Sequence, residues 1–433
     1  MTTPVPPPTT PTTDHPTPRQ GRSMDGLTRR SLLTGSAVVG ATALLAGATR
    51  VSLDAVLRRT TADALPTGSP ILVVVTLYGG NDWLNTVVPH ADPAYQSARG
   101  RLAMGAGEVL RLDEQVGLNP GLPKLAEEWS AGRLGIVRGV GLPQPQRSHF
   151  RAMDIWQTGS PDAPADTGWL GRWLDSAGAD PLSALNIGTV LPPMLVGRRT
   201  AAAALAIGRK APLDPTTLAA LSATDPQDGA AAALVTGSYA AYGRVRDLAA
   251  TVNAPPSASS KPAPGAAPSG TARAEDFSAQ LRIVADLVRA GAPPRVYAVS
   301  LTGFDTHAGE LERQRGLLAE LDAGLATLRE RLAGHERARD VVTLVYSEFG
   351  RRVAANGSEG TDHGSAGDVL LLGDRVAGGW HGQAPSLTAL LDGDLRVTTD
   401  FRDVYAAVLA GVLGADPDLV LGAGRQPVPG LLR

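Results

Sequence analysis

Five apolar runs constrain the fold of this chain more than any other feature of its sequence. The first, Ile71–Tyr78, has no charge over eight residues and ends at Gly79-Gly80, as a strand buried on both faces of a sheet does. The others lie at Leu134–Val140, Val296–Leu301, Val341–Tyr346 and Val369–Leu372. Helical spacing at 121–131 and 309–332 places helices between strands. The pattern predicts a three-layer α/β/α fold with a mostly parallel central sheet.

The composition allows a large core and excludes several kinds of site. Of the 433 residues, 43% are hydrophobic and 19% are charged, so wholesale disorder is excluded. The formal net charge of −2 gives no basic excess, and no nucleic-acid partner is expected. The chain has no cysteine, which excludes disulfides, zinc sites with cysteine ligands and thiol nucleophiles.

The N-terminal segment indicates export. Residues 2–18 contain seven Thr and seven Pro, a composition that cannot form a core. Arg29-Arg30 then precede a mildly apolar, uncharged stretch at 31–49, which resembles a signal for the twin-arginine (Tat) translocase. We therefore expect residues 1–64 to be a signal and a disordered segment, cleaved after Ala48 or Ala64. The mature protein is expected to be secreted or associated with the cell envelope.

A retained membrane anchor is the alternative interpretation of the same segment, because nineteen uncharged residues can just span a bilayer. No later segment is long and apolar enough, so no stable membrane span is expected after processing. Tat carries folded proteins, which allows a cofactor to be bound before export. The absence of cysteine suits both a reducing folding compartment and an oxidising destination.

Residues 65–433 are expected to form one domain with a helical insertion at about 205–290. Within the insertion, residues 254–272 contain five Pro among Ser, Ala and Gly, which predicts a disordered surface loop. The strand pattern resumes after the insertion, so it is not a domain boundary.

Clusters of polar residues follow the predicted strands, at the sheet edge where open α/β sheets bind ligands. They contain Asp82, Ser148 with His149, Asp305 with His307, Glu348 with Arg351, and Asp362 with His363. Carboxylates and imidazoles without thiolates suit Zn, Mn, Fe, Mg or Ca, and imidazole favours the transition metals. Taken singly, these residues also fit caps, turns and a local ion pair. Their shared position after strands favours one common site.

Together the clusters resemble the DUF1501 family of exported bacterial proteins. The matching motifs are Tyr78-Gly79-Gly80-Asn81-Asp82, Arg147-Ser148-His149-Phe150, Gly168-Trp169-Leu170-Gly171-Arg172, Phe304-Asp305-Thr306-His307, Ser347-Glu348-Phe349-Gly350-Arg351 and Gly360-Thr361-Asp362-His363-Gly364. The resemblance covers most of the mature chain. It implies a fold similar to the alkaline phosphatase superfamily, in which an Asp after the first strand and later Asp and His residues hold two divalent metals near a hydroxyl nucleophile.

The resemblance implies roles for individual residues. The metal ligands would be Asp82, Asp305, His307, Asp362 and His363, holding one or two divalent ions such as Zn, Mn, Mg or Ca. Ser148 matches the nucleophile, although the spacing back from Thr158-Gly159 places His149 there. Glu348 and Arg351 would be further catalytic residues, and Arg351 or Arg147 would pair with an anion.

Two departures from the phosphatase pattern leave two classes of function open. One residue separates Asp305 from His307 where phosphatases have three, and Ser347-Glu348 stands where they have Asp-His. The first class is an exported metal-dependent hydrolase of small anionic phosphate or sulfate esters. The second is a non-catalytic exported binding or scaffold protein that retains the fold, and the changed ligand pattern supports it.

The export signal gives the first prediction. Replacing Arg29 and Arg30 together by lysine should leave full-length precursor in the cytoplasm, because the arginine pair is what the pattern presents to the Tat translocase. Immunoblots of cell fractions measure this, with Arg19 and Arg22 changed to lysine as the matched control. Normal export of the Arg29/Arg30 variant would contradict the Tat assignment.

Overall fold

A computed structural model of the protein describes residues 50–51, 56, 59, 63–188, 190–205 and 277–433. The twin-arginine segment, the cleavage site at Ala48 and the predicted loop at 254–272 lie outside the described residues.

The described part of the chain alternates between strands and helices. Its strands are β1 Arg50–Val51, β2 Ile71–Tyr78, β3 Val87–Val88, β4 Leu110–Arg111, β5 Gly117–Leu118, β6 Leu134–Gly141, β7 Ala184–Ile187, β8 Ala203–Leu205, β9 Val296–Thr302, β10 Val341–Ser347, β11 Arg351–Ala355, β12 Thr361–His363, β13 Gly367–Leu372, β14 Gly379–His381 and β15 Thr399–Asp400. Its α-helices are α1 Pro93–Arg99, α2 Pro123–Ser130, α3 His149–Thr158, α4 Trp169–Ser176, α5 Phe277–Arg289, α6 Glu310–Leu332, α7 Phe401–Val408 and α8 Pro417–Leu421. A π-helical turn at Leu409–Leu413 extends α7.

A single large sheet organises these elements. Its strand order in the described residues is β1-β8-β7-β9-β2-β10-β13-β6-β14, and β15 also pairs with β6. All pairs from β1 to β10 are parallel, whereas β13 is antiparallel to both β10 and β6. Because β13 runs the other way, β6 points in the same direction as β10. The predicted mostly parallel sheet is confirmed, and the strand ends of β2, β6, β9 and β10 lie at one edge.

Helices cover both faces of the sheet, and the alternation along β2 shows how. Leu72 and Val74 belong to one buried cluster, packed with residues of α3, α4 and α7. Val73 and Val75 belong to a second cluster, packed with residues of α2, α5 and α6. Successive side chains of a strand point to opposite faces, so an unbroken apolar run serves both layers. The three-layer arrangement is confirmed.

Helix α5 lies at the C-terminal end of the predicted insertion and packs against β9 and α6. Its residues Phe277 and Leu281 are buried in the same core cluster as β9 and α6. Gln280 also exchanges two hydrogen bonds of 3.1 Å with the backbone N–H and carbonyl of Ser300. The part of the predicted insertion that α5 forms therefore belongs to a helical layer of the main domain.

None of the helices in the described part of the chain has the length and apolarity that a membrane span requires.

Two glycines let the segment after β7 lie directly against α4. Gly168 precedes α4 and donates its N–H to the carbonyl of Val196, at 2.8 Å. A β-carbon on Gly171 would overlap the backbone of Val196. The Gly-Trp-Leu-Gly motif thus has a packing role, because a side chain at Gly171 would push the two segments apart.

This packing gives the second prediction. Gly171→Ala should destabilise the protein by roughly 1–3 kcal/mol, the usual cost of overpacking a close contact. Gly316→Ala is the matched control, because Gly316 is an exposed glycine within α6 and a β-carbon there meets nothing. That variant should be stabilised by up to about 1 kcal/mol, since alanine favours a helix interior. Denaturant unfolding measures both, and equal stabilities for the two variants would contradict the packing role.

Candidate functional site

The loops after β6 and β9 and the end of β12 meet at the carboxyl edge of the sheet. His149 begins α3 after β6, and Asp305 lies in the loop between β9 and α6. His363 ends β12, just before β13 enters the sheet. Each of these three residues offers a ligand atom, and these atoms all lie within 4.8 Å of one another. Among the described residues, this is the group of carboxylates and imidazoles with the spacing of a metal site.

A single carboxylate oxygen is the meeting point of three imidazoles. Asp305 Oδ1 lies 2.9 Å from His307 Nε2, 3.2 Å from His363 Nε2 and 3.5 Å from His149 Nε2. His307 Nε2 and His363 Nε2 are themselves 3.0 Å apart. Ring nitrogens of several histidines that face one carboxylate are the donor set of a transition-metal site.

Glu348 orients His149. Its Oε1 lies 2.8 Å from His149 Nδ1 and also accepts the N–H of Gly79, at 2.9 Å. Because a carboxylate accepts, Nδ1 carries a hydrogen, and in the neutral imidazole the lone pair is therefore on Nε2. That Nε2 is buried and has no hydrogen-bond partner. The hydrogen bond to Glu348, together with the charges of Glu348 and Asp305, raises the pKa of His149 against the effect of burial.

A backbone carbonyl orients His363 in the same way. His363 Nδ1 lies 2.8 Å from the carbonyl oxygen of Arg147, which can only accept a hydrogen bond. Nδ1 therefore carries a hydrogen, and Nε2 faces Asp305 Oδ1 at 3.2 Å. Metal-binding histidines are commonly fixed by such a partner on the second ring nitrogen.

Asp305 is held as a carboxylate. Its side chain is 47% exposed, and Arg351 Nη2 donates to Oδ1 at 2.8 Å. Partial burial acts to raise the pKa of Asp305, but hydrogen bonds from Arg351 and His363 and the nearby positive charges lower it to about 2. The group therefore keeps its negative charge throughout the neutral range.

Arg351 is buried beside the cluster, with a side chain that is 0% exposed. Its guanidinium donates to the backbone carbonyls of four residues, with N···O distances of 2.6 to 3.1 Å for Gly79, Gly80, Phe304 and Thr361. These bonds join three loops of the site, and the expected catalytic role of Arg351 stays a prediction.

Asp82, which was expected to be a metal ligand, is paired with an arginine in this structure. It is fully buried, and both of its carboxylate oxygens bond to the guanidinium of Arg99 in α1, one of them at 2.8 Å from Nη2. Burial acts to raise the pKa of Asp82, but the charge of Arg99 and the hydrogen bonds from Glu310 and Arg99 lower it. Its oxygens are therefore committed to a protein cation and lie outside the cluster around Asp305.

Glu310 completes this buried group. Burial, with the neighbouring charge of Asp82, raises the pKa of Glu310 to about 9, so the side chain is protonated at neutral pH. Its Oε2 accepts the Thr361 hydroxyl at 2.6 Å. Neither Arg99 nor Glu310 was predicted from the sequence, because no local pattern pairs Asp82 with an arginine of the next α-helix or Glu310 with Thr361.

His307 and Asp362 lie at the rim of the site. His307 is close enough to Asp305 and His363 to serve as a further ligand, and its side chain is partly exposed. Asp362 Oδ1 is 3.7 Å from His307 Nδ1 and is exposed to solvent. Asp362 thus contacts the cluster only through His307, so the structure does not bring it into direct contact with the other expected ligands.

Ser148 occupies the N-cap position of α3, where its hydroxyl makes no capping hydrogen bond. The residue is exposed and directly precedes His149. The side chain of Arg147 is anchored on Asp394 Oδ2 through two hydrogen bonds of 2.7 and 3.0 Å and stays 43% exposed. A free hydroxyl and a partly exposed guanidinium therefore flank the imidazole cluster.

Several solved structures align with most of the chain at low sequence identity. A protein in the alkaline phosphatase superfamily from Vibrio parahaemolyticus is 12% identical, with 86% of this chain and 77% of that chain covered and a TM-score of 0.38. PsFucS1 sulfatase from Pseudoalteromonas sp. is 13% identical, with 88% and 76% covered and a TM-score of 0.38. The C-terminal periplasmic domain of EcEptC from Escherichia coli, in complex with Zn, is 10% identical, with 72% and 77% covered and a TM-score of 0.36.

The search of curated proteins found no match. Residues 129–422 match the family described as protein of unknown function, DUF1501. The match includes β6 and the histidine, aspartate, glutamate and arginine residues that form the cluster. It confirms the family expected from the motifs, and the chain belongs to the DUF1501 family.

Proposed function

We propose that this protein is a hydrolase of phosphate or sulfate esters that uses one divalent metal held by His149, Asp305 and His363, with His307 at the rim as a fourth ligand. The observation that carries the proposal is the buried Nε2 of His149, which has no hydrogen-bond partner in the described residues and faces Asp305 Oδ1 at 3.5 Å. An unpaired buried nitrogen is costly unless something binds it, and a cation between these groups would satisfy it.

The donor set favours Zn or Mn over Mg or Ca, because the latter two prefer oxygen ligands. A bound ion of this kind supplies Lewis-acid polarisation of an ester oxygen. The pairing of Asp82 with Arg99 supports one ion rather than two, because it removes from the ligand set the aspartate that a second ion would need.

Ser148 is the proposed nucleophile. Its hydroxyl is exposed and uncommitted at the N-terminus of α3, where helix N–H groups favour an anion. His149 is less suited, because Glu348 fixes its Nδ1 and its Nε2 faces Asp305. Arg147, anchored by Asp394, is the guanidinium available to pair with the anionic ester.

The alternative is an exported binding or scaffold protein without turnover, and the buried Asp82–Arg99 pair favours it. The guanidinium of Arg99 holds the aspartate that the expected two-metal arrangement would use to bind a metal ion. Export through Tat remains part of both proposals.

The ligand assignment gives the third prediction. After chelator treatment and reloading with Zn, the wild-type protein should hold about one ion per chain, and Asp305→Asn should hold far less. Asp82→Asn is the matched control. It should keep the metal but lose roughly 3–5 kcal/mol of stability, because the buried Arg99 loses its counter-ion.

Elemental analysis measures the metal content, and denaturant unfolding measures the stability. Loss of metal from Asp82→Asn with retention in Asp305→Asn would contradict the assignment.

The reaction gives the fourth prediction. Metal-loaded protein should hydrolyse an aryl phosphate or an aryl sulfate, and Ser148→Ala should lower kcat by at least about a thousandfold with metal content unchanged. Ser130→Ala, an exposed serine on α2, is the control and should leave kcat unaltered. No turnover of either ester by the metal-loaded wild type would instead support the non-catalytic alternative.

A further inference from the structure

A cavity of about 290 Å³ opens beside β2, β7 and β9. Its lining includes Thr76, Tyr78, Asn186, Val190, Met194 and Ser300. None of the residues that line it is part of the imidazole cluster, so the cavity is distinct from the metal ligands. Its position near the carboxyl ends of the strands is where open α/β sheets bind ligands.

The cavity exists because β7 and β9 separate. Their pairing ends at Asn186 and Ala298, and beyond that point the backbone of Ser300 bonds to Gln280 of α5 instead of to β7. The segment after β7 is drawn across the opening, since Asn186 Nδ2 donates to the carbonyl of Val190 at 2.8 Å. The gap therefore forms where β7 and β9 stop pairing.

The lining is apolar and uncharged, with a few neutral polar groups. Tyr78 Oη accepts a hydrogen bond from Gln157 Nε2 at 2.8 Å, which leaves its own hydrogen available to donate. Burial raises the pKa of Tyr78 to about 12, so the phenol stays neutral. Asn186 Oδ1 and the Ser300 hydroxyl have no hydrogen-bond partner in the described residues. The cavity therefore offers one donor, one acceptor and one hydroxyl that can do either.

The cavity and the metal ligands lie on the same side of the sheet. Helix α3 connects them, because it begins at His149 and carries Gln157, which contacts Tyr78. Eight residues of helix correspond to about 12 Å. The next residue after Tyr78, Gly79, donates its N–H to Glu348, the partner of His149. The cavity and the metal ligands are therefore separated by about the length of this part of α3.

We propose that this cavity binds a neutral, hydroxyl-bearing ring, the alcohol part of the ester whose anionic group is at the metal site. The inference rests on the proposed function for the ester. A charged alcohol part does not fit, because burying a charge against an uncharged lining is unfavourable. The volume is near the lower end for ligand pockets, which suits one ring rather than an extended group.

Two measurements on the metal-loaded full chain test the proposal. The first is saturation-transfer NMR with methyl glucoside as a neutral ring and methyl glucuronide as the same ring with a carboxylate. The second is the ratio of kcat/KM for glucose 6-phosphate or glucose 6-sulfate to that for methyl phosphate or methyl sulfate. We expect the wild type to bind methyl glucoside but not methyl glucuronide, and to prefer the ring ester at least tenfold.

Val190→Trp should lower both the NMR signal and the preference at least fivefold, because Val190 is 54% exposed at the cavity and a larger side chain there fills it. Leu419→Trp, a 71% exposed position on α8, is the control and should change neither. Ser300→Ala serves as a milder second variant should Val190→Trp unfold. It should weaken the binding of methyl glucoside about threefold or more.

The outcomes separate this inference from the proposed function. Binding of methyl glucoside that depends on Val190, without turnover of any ester, would support the cavity and contradict the hydrolase. Ester turnover with no ring preference, and no binding that responds to Val190 or Ser300, would overturn the cavity proposal while the hydrolase stands. Equal binding of methyl glucuronide and methyl glucoside would overturn the proposed neutrality of the ligand.

Discussion

The buried guanidinium of Arg351 is the interaction on which the site depends. Arg351 is the first residue of β11, and its donors bond to backbone carbonyls from the loops after β2 and β9 and from the hairpin of β11 and β12. A buried arginine is stable only when its donors are satisfied, so these loops are constrained to meet around it. The remaining bond, to Asp305, aims that carboxylate at the three imidazoles. The geometry of the cluster is therefore set by a residue that does not face solvent.

The two aspartates at this edge of the sheet, Asp82 and Asp305, have different partners. Arg99 neutralises Asp82 inside the protein, whereas Asp305 is left partly exposed among imidazoles. An arginine carries a permanent positive charge, whereas a cluster of imidazoles is able to bind and release a metal ion. The pairing thus separates a structural charge from a candidate metal site a short distance away. Glu310, protonated beside Asp82, adds a hydrogen bond to that pair without adding a second buried negative charge.

The long strands were predictable because each is an apolar run that serves two helical layers. The short strands β7 and β8 were not, since Ala184–Ile187 has only one β-branched residue and Ala203–Leu205 has none. The location of the site was predictable, because polar residues follow the strands. The hydrogen-bond and ion-pair partner of each polar residue was not predictable. Aspartate and arginine occur in catalytic sites and in structural ion pairs alike, so the residue types of Asp82 and Arg351 do not reveal their roles. Their burial and their bonds to Arg99 and to carbonyls of distant segments decide their roles, and no local pattern records those contacts.

The most direct test of the central claim is a crystal structure of the Zn-loaded protein with anomalous diffraction at the zinc absorption edge. One peak should lie about 2.0–2.2 Å from His149 Nε2, His363 Nε2 and an oxygen of Asp305, with Asp82 still bonded to Arg99. A zinc peak on Asp82 with Arg99 displaced, or no peak among the three ligands at full metal loading, would contradict it.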